Sequence, residues 1–133
     1  MTRLSRLSKK HSKSKMKVSS SKHFSKEELQ CPCCYRCEMD PYFLDKLENL
    51  RWLVREPLVV TSGFRCRIHN KDIGGYPQSY HLTGQAVDIA IVDSRHRRRL
   101  LELAFEVGFG GIGLQKTFMH LDNRNTNGIT WLY

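Results

Sequence analysis

Ser79-Tyr80-His81-Leu82-Thr83-Gly84-Gln85-Ala86-Val87-Asp88 is a loop running into a strand. Its second half alternates: Val87, Ile89 and Ile91 fall on one face, Ala86, Asp88 and Ala90 on the other, which predicts a strand over residues 86–92. The small residues beside Asp88 leave room on that face. Gly84 permits a sharp turn before the strand, so the bend can bring the His81 imidazole and the Asp88 carboxylate to one point. Phe118-Met119-His120-Leu121-Asp122 reads as a later strand with Phe118, His120 and Asp122 on one face. Paired beside the first, it would deliver His120 next to Asp88.

The rest of the chain supplies a scaffold for these strands. Ser25 followed by Glu28 has capping-box spacing and predicts a short helix over residues 25–29. Asp40-Pro41 reads as N-cap and first turn of a helix over residues 41–55, with Phe43, Leu44, Leu47, Leu50 and Val54 on its buried face and Pro57 as its stop. Residues 58–61 read as a strand ended by Ser62-Gly63, and residues 65–80, with turn chemistry and no period, as an irregular loop. Ser94 is read as the cap of a helix reaching Val107, burying Leu100, Leu101, Ala104 and Phe105 and leaving Arg95, Arg97, Arg98 and Arg99 wet, a solvated face and not a nucleic-acid reader. Gly108 breaks it, a glycine-rich strand follows, residues 125–128 turn, and residues 129–133 form the last strand. The expected class is α+β: a small, mainly antiparallel sheet with helices packed on it.

At 133 residues one domain with one site is expected. The net charge of +9 is concentrated at the front: residues 1–22 hold eight Lys/Arg and no acid, while the remainder balances 14 basic against 13 acidic side chains. Rich in Ser and Lys, residues 1–22 read as a disordered basic leader. It is either a solvated extension ahead of a working start at Met16 or a contact for an anionic polymer, without a specific nucleic acid. No segment has the ~20 apolar residues of a membrane span, and no apolar signal region follows Met1. The expectation is a monomer made in the cytoplasm without a signal peptide.

Cys31, Cys33, Cys34, Cys37 and Cys66 are an odd number, so disulfides cannot use them all. The four crowded into residues 31–37 have spacings that suit a structural zinc with Cys66 nearby. Reduced thiols, or one or two disulfides, are the alternatives.

His81, Asp88 and His120 carry the chemistry. Two neutral imidazoles and a carboxylate suit Zn²⁺ and leave a fourth position open, which separates a catalytic site from a structural one. Spacing alone leaves room for ordinary hydrogen-bonded core groups.

The run S-x-H-x-x-G-x-A-x-D at residues 79–88, with F-x-H-x-D at residues 118–122, resembles the zinc D-alanyl-D-alanine carboxypeptidase and murein endopeptidase family. That family includes phage endolysins and is similar in metal site and core to the hedgehog signalling domain. The short members are most similar, sharing Val60-Thr61-Ser62-Gly63-Phe64-Arg65, His69-Asn70 and Gly74-Gly75. The resemblance implies a zinc peptidase domain over residues 23–133, with His81, Asp88 and His120 as metal ligands. It implies Arg65 as the arginine that binds a substrate oxygen and Ser79 as a second polar contact. The substrate implied is the peptidoglycan stem peptide or its cross-link, reached after release or export. Many relatives carry an acidic base where this chain has Thr117, which cannot accept a proton at neutral pH. Asp122 is then the candidate base or, alternatively, the acceptor that orients a ligand. Tyr80 and Trp131 are candidate groove walls or core. The competing expectation is a hedgehog-like module that binds zinc without turnover.

Overall fold

The computed structural model describes residues 16–125 and 127–133. The expected disorder of residues 1–15 lies outside them. Residues 16–22 are not the end of a free leader. Val18 and Met39 exchange backbone hydrogen bonds of 2.9 and 2.7 Å, and Val18 packs on the core. One apolar side chain and a backbone bridge outweigh the Ser/Lys composition over residues 16–22.

Helix α1 (Lys26–Leu29) has the expected capping box: Ser25 Oγ accepts from the Glu28 N–H at 3.2 Å, and the Glu28 carboxylate accepts from the Ser25 N–H at 2.9 Å. Helix α2 (Pro41–Val54) starts where Asp40 accepts from the Phe43 N–H at 3.0 Å and buries the five apolar residues its spacing marks. Strand β1 (Val60–Ser62) lies slightly later than expected, and residues 65–80 are not all loop. They contain helix α3 (Arg67–Asp72), whose N-cap is Cys66, its sulfur accepting from the His69 N–H at 3.4 Å. A six-residue helix shows no apolar period, and cysteine is not among the usual caps. A 3₁₀ turn (Tyr80–Thr83) then leads through Gly84, at φ 71°, into β2 (Ala86–Ala90).

Helix α4 (Ser94–Val107) is capped by Asp93, one residue before the expected cap: the Asp93 carboxylate accepts from the His96 N–H at 2.8 Å. A carboxylate there also favours the positive end of the helix dipole. Leu100 and Ala104 are buried and Leu101, Leu103 and Val107 lie against the core, but Phe105 is 57% exposed. The stripe on the core is rotated toward Leu103 and Val107, away from Phe105, relative to the one read from sequence.

Strands β3 (Gly111–Leu114), β4 (Phe118–Asp122) and β5 (Ile129–Leu132) complete a five-stranded sheet in the order β1-β2-β4-β3-β5. All neighbours are antiparallel except β3 and β5. β5 reverses direction after β4 and is therefore parallel to β3, which itself opposes β4. The fold is α+β with a mostly antiparallel sheet, as expected. Val87, Ile89, Ile112, Met119 and Leu121 join α2 and α4 in the core; by the period of two, Asp88, His120 and Asp122 belong to the opposite face. Among the described residues no helix is long and apolar enough to cross a membrane.

Candidate metal centre

Asp88 and His120 are direct partners in the β2–β4 register, so sheet pairing alone sets their side chains together. His81 reaches them from the 3₁₀ turn, which Ser79 caps by accepting the His81 N–H at 3.1 Å. Asp88 Oδ1 lies 3.2 Å from His81 Nε2 and 3.0 Å from His120 Nδ1. Potential ligand atoms of the three residues all fall within 4.8 Å of one another. Among the described residues no further His, Cys or carboxylate belongs to that group.

Hydrogen bonds on the outer side of each ring decide the tautomers. His81 Nδ1 is 2.7 Å from the Gly63 carbonyl, which can only accept, so that nitrogen carries a proton. His120 Nε2 likewise donates to Asp122 Oδ2 at 2.8 Å. In the neutral rings the inner nitrogens then present lone pairs toward a carboxylate oxygen. Three acceptors turned on one another in a buried place need a cation, and the N/N/O set fits Zn²⁺.

Burial pulls the His81 pKa below the ordinary histidine value despite Asp88. For His120 burial also opposes charge, but Asp122 and Asp88 on either side outweigh it and raise its pKa. Burial pushes both carboxyls up, yet both end well below the usual range: hydrogen bonds from His120 and His81 prevail at Asp88, those from His120 and Arg124 at Asp122.

Asp122 is fully buried. Arg124 closes on it with Nη2 at 2.6 Å and Nε at 2.9 Å, and the guanidinium stacks on Tyr80 and Trp131, 5.0 and 4.7 Å from their ring centroids. Trp131 in turn lies 5.4 Å from the His120 ring. Gly113 makes this possible: a Cβ there would stand 2.7 Å from the indole. Arg65 donates to Ser62 Oγ at 3.0 Å, to Asn70 Oδ1 at 3.1 Å and to Asp88 Oδ2 at 3.3 Å.

A cleft of about 810 Å³ opens over the group; Arg65, Ser79, Tyr80, His81, Asp88 and His120 line it, with Trp131 and Tyr133 among its aromatic walls. Among the described residues Asp88 is the only Asp or Glu side chain lining it. Thr117 is exposed, bonded to Gln115 at the β3–β4 turn, and outside the lining.

The structure thus brings Arg65, Ser79, Tyr80, His81, Asp88 and His120 together around one cleft, and sets Asp122 behind His120. Sequence reasoning passed over Arg124, although it continues the period of two that joins His120 and Asp122. The Gly63 carbonyl had no sequence signal. Residues 22–122 match the family model described as Peptidase M15. No curated protein matches the chain.

Proposed function

Since this chain belongs to the peptidase M15 family, whose members are zinc-dependent metallopeptidases, we propose that it hydrolyses a peptide bond involving a D-amino acid in the peptidoglycan stem peptide or cross-link, acting on the wall after release or export. The convergence of His81, Asp88 and His120 on the floor of an open cleft carries the reading. A cleft of that volume suits a short peptide segment.

His81, Asp88 and His120 would hold the zinc. When bound, it supplies a Lewis acid that polarises the scissile carbonyl and makes water a nucleophile near neutral pH. Arg65 still has N–H donors beyond those given to Ser62, Asn70 and Asp88, and a guanidinium fork matches a substrate carboxylate or carbonyl. Ser79 accepts from the His81 N–H and keeps its own hydroxyl proton for substrate. Tyr80 and Trp131, bridged by Arg124, form a rigid wall. Of the two roles open to Asp122, the geometry favours the second: its oxygens are taken by His120 and Arg124 and it does not line the cleft. In this reading it acts as a positioning residue that holds the His120 tautomer, the second of the two roles expected for it.

The absence of an Asp or Glu side chain other than Asp88 from the cleft lining, among the described residues, keeps one second reading: a zinc-binding module without turnover. Purified sacculi separate the two. Hydrolysis predicts muropeptides released by the zinc-loaded protein, lost with a chelator and with His120→Ala, their masses distinguishing carboxypeptidase from endopeptidase cleavage. Stoichiometric zinc with no release from any wall chemistry would leave the binding module.

A further inference from the structure

Sequence spacing grouped Cys37 with Cys31, Cys33 and Cys34, and the fold regroups them. Cys37 turns away, its thiol donating to the Ser19 carbonyl at 3.4 Å. Its place is taken by Cys66, brought from beyond β1. The sulfurs of Cys31, Cys34 and Cys66 all lie within 4.8 Å of one another, and the Cys33 thiol interacts with that of Cys66. Four thiolates around one tetrahedral Zn²⁺ sit about 3.8 Å apart, given Zn–S bonds of ~2.3 Å. The sulfurs of Cys31, Cys34 and Cys66 need little contraction to reach that spacing, and Cys33 would have to turn in as the fourth.

The backbone presents these sulfurs from two short elements. Residues 31–36 fold into a tight hairpin in which Tyr35 N–H bonds the Cys31 carbonyl and Cys31 N–H the Arg36 carbonyl, both at 2.8 Å, with Tyr35 at φ 62°. The Cys66 sulfur accepts from the His69 N–H at 3.4 Å, a bond that favours thiolate over thiol at that residue. Thiolates this close repel unless a soft-ligand cation lies between them.

We propose that Cys31, Cys34 and Cys66, with Cys33 as fourth donor, bind a single structural Zn²⁺ that staples the residue 31–36 hairpin to the N-terminus of α3. This site is separate from the His81–Asp88–His120 centre and does not rest on the reading of that centre. It also has a mechanical consequence there. Phe64 N–H bonds the Leu29 carbonyl at 2.8 Å and Arg65 N–H the His81 carbonyl at 3.1 Å, while the Gly63 carbonyl holds His81 Nδ1. Residues 63–66 therefore join the cysteine hairpin, the His81 ring and the Arg65 side chain through a single short segment. Pinning Cys66 fixes the segment's far end.

The test is metal content and cobalt absorption of the full chain, purified reduced and loaded with Zn²⁺ or Co²⁺ alone. The expected result is two zinc ions per chain, with a thiolate-to-cobalt charge-transfer band. Cys34→Ser, on an exposed side chain, loses one zinc and most of that band, and Cys66→Ser does the same. His120→Ala loses one zinc and keeps the band, and Cys37→Ser keeps both ions. The wild-type spectrum carries the test even if a cysteine variant fails to fold. No charge-transfer band in wild type with all thiols titrating as free, or a mass lower by two hydrogens per disulfide in protein purified without reductant and resistant to zinc, overturns the proposal.

Discussion

Two clusters of metal-ligating side chains sit at opposite ends of residues 63–66, and they differ in donor, support and openness. His81, Asp88 and His120 are hard-to-borderline donors placed by sheet register, and they face a cleft. The cysteines are soft donors placed by a hairpin and a helix N-terminus, and none of them lines that cleft. The first arrangement leaves a face for substrate, whereas the second closes on its ion. Function and stability should therefore separate by cluster. His120→Ala is the severest test: loss of a ligand should cut wall hydrolysis at least about 10³-fold, the several kcal/mol that metal polarisation contributes. The cobalt–thiolate band should stay intact. Hydrolysis surviving in that variant would collapse the distinction.

The reverse experiment follows. At free zinc a hundredfold above its dissociation constant, the cysteine site adds about 2.7 kcal/mol of stability through linkage. Cys34→Ser should forfeit that and lower the thermal midpoint measured in zinc buffer. Zinc at the histidine centre should still bind. Next in size, Asp122→Asn keeps the shape but weakens the acceptor for His120 Nε2–H and the charge facing Arg124. Zinc affinity or activity should fall about 10–100-fold, read by competition with a chromophoric chelator. An unchanged affinity would mean that Asp122 serves only the fold.

Much of the histidine centre could be read from the sequence because two-residue alternation and antiparallel pairing are enough to bring Asp88 beside His120. The capping signatures at Ser25 and Asp40 worked for a similar reason, each being a local exchange of hydrogen bonds. What stayed illegible depended on distant contacts. Cys37 is adjacent to its neighbours in sequence but turned toward Ser19, while Cys66, expected nearby, takes its place because β1 and α1 pack together. Helix α3 was missed because its cap is a sulfur. Arg124 continues the period of two past the end of β4, but only its stacking between Tyr80 and Trp131 turns it back on Asp122.

The smallest expected effect concerns what steadies the cysteine side from behind. Glu48, on α2, accepts from Ser21 Oγ at 2.6 Å, from the His23 N–H at 2.7 Å and meets His23 Nδ1 at 2.6 Å. Partial burial pushes its carboxyl up, but the bonds from Ser21 and His23 outweigh burial and hold it below its ordinary value. With the folded-state pKa depressed, the stabilisation is present above the unfolded value of about 4.5 and drains away as pH falls through the lower folded value. Glu48→Gln should cost about 1 kcal/mol at neutral pH, the scale of hydrogen bonds to a charged acceptor on a partly exposed group. It should also flatten the acid limb of the stability curve, measured by urea unfolding between neutral and acid pH. Because Ser21 and His23 belong to the arm that leads into the cysteine hairpin, the loss should loosen that side first. Amide exchange would rise at residues 18–24 and 31–36 while His120 and its neighbours on β4 stay protected. Equal loosening of both sides would show that the two clusters share one cooperative unit, and the separation by cluster would then hold for chemistry alone.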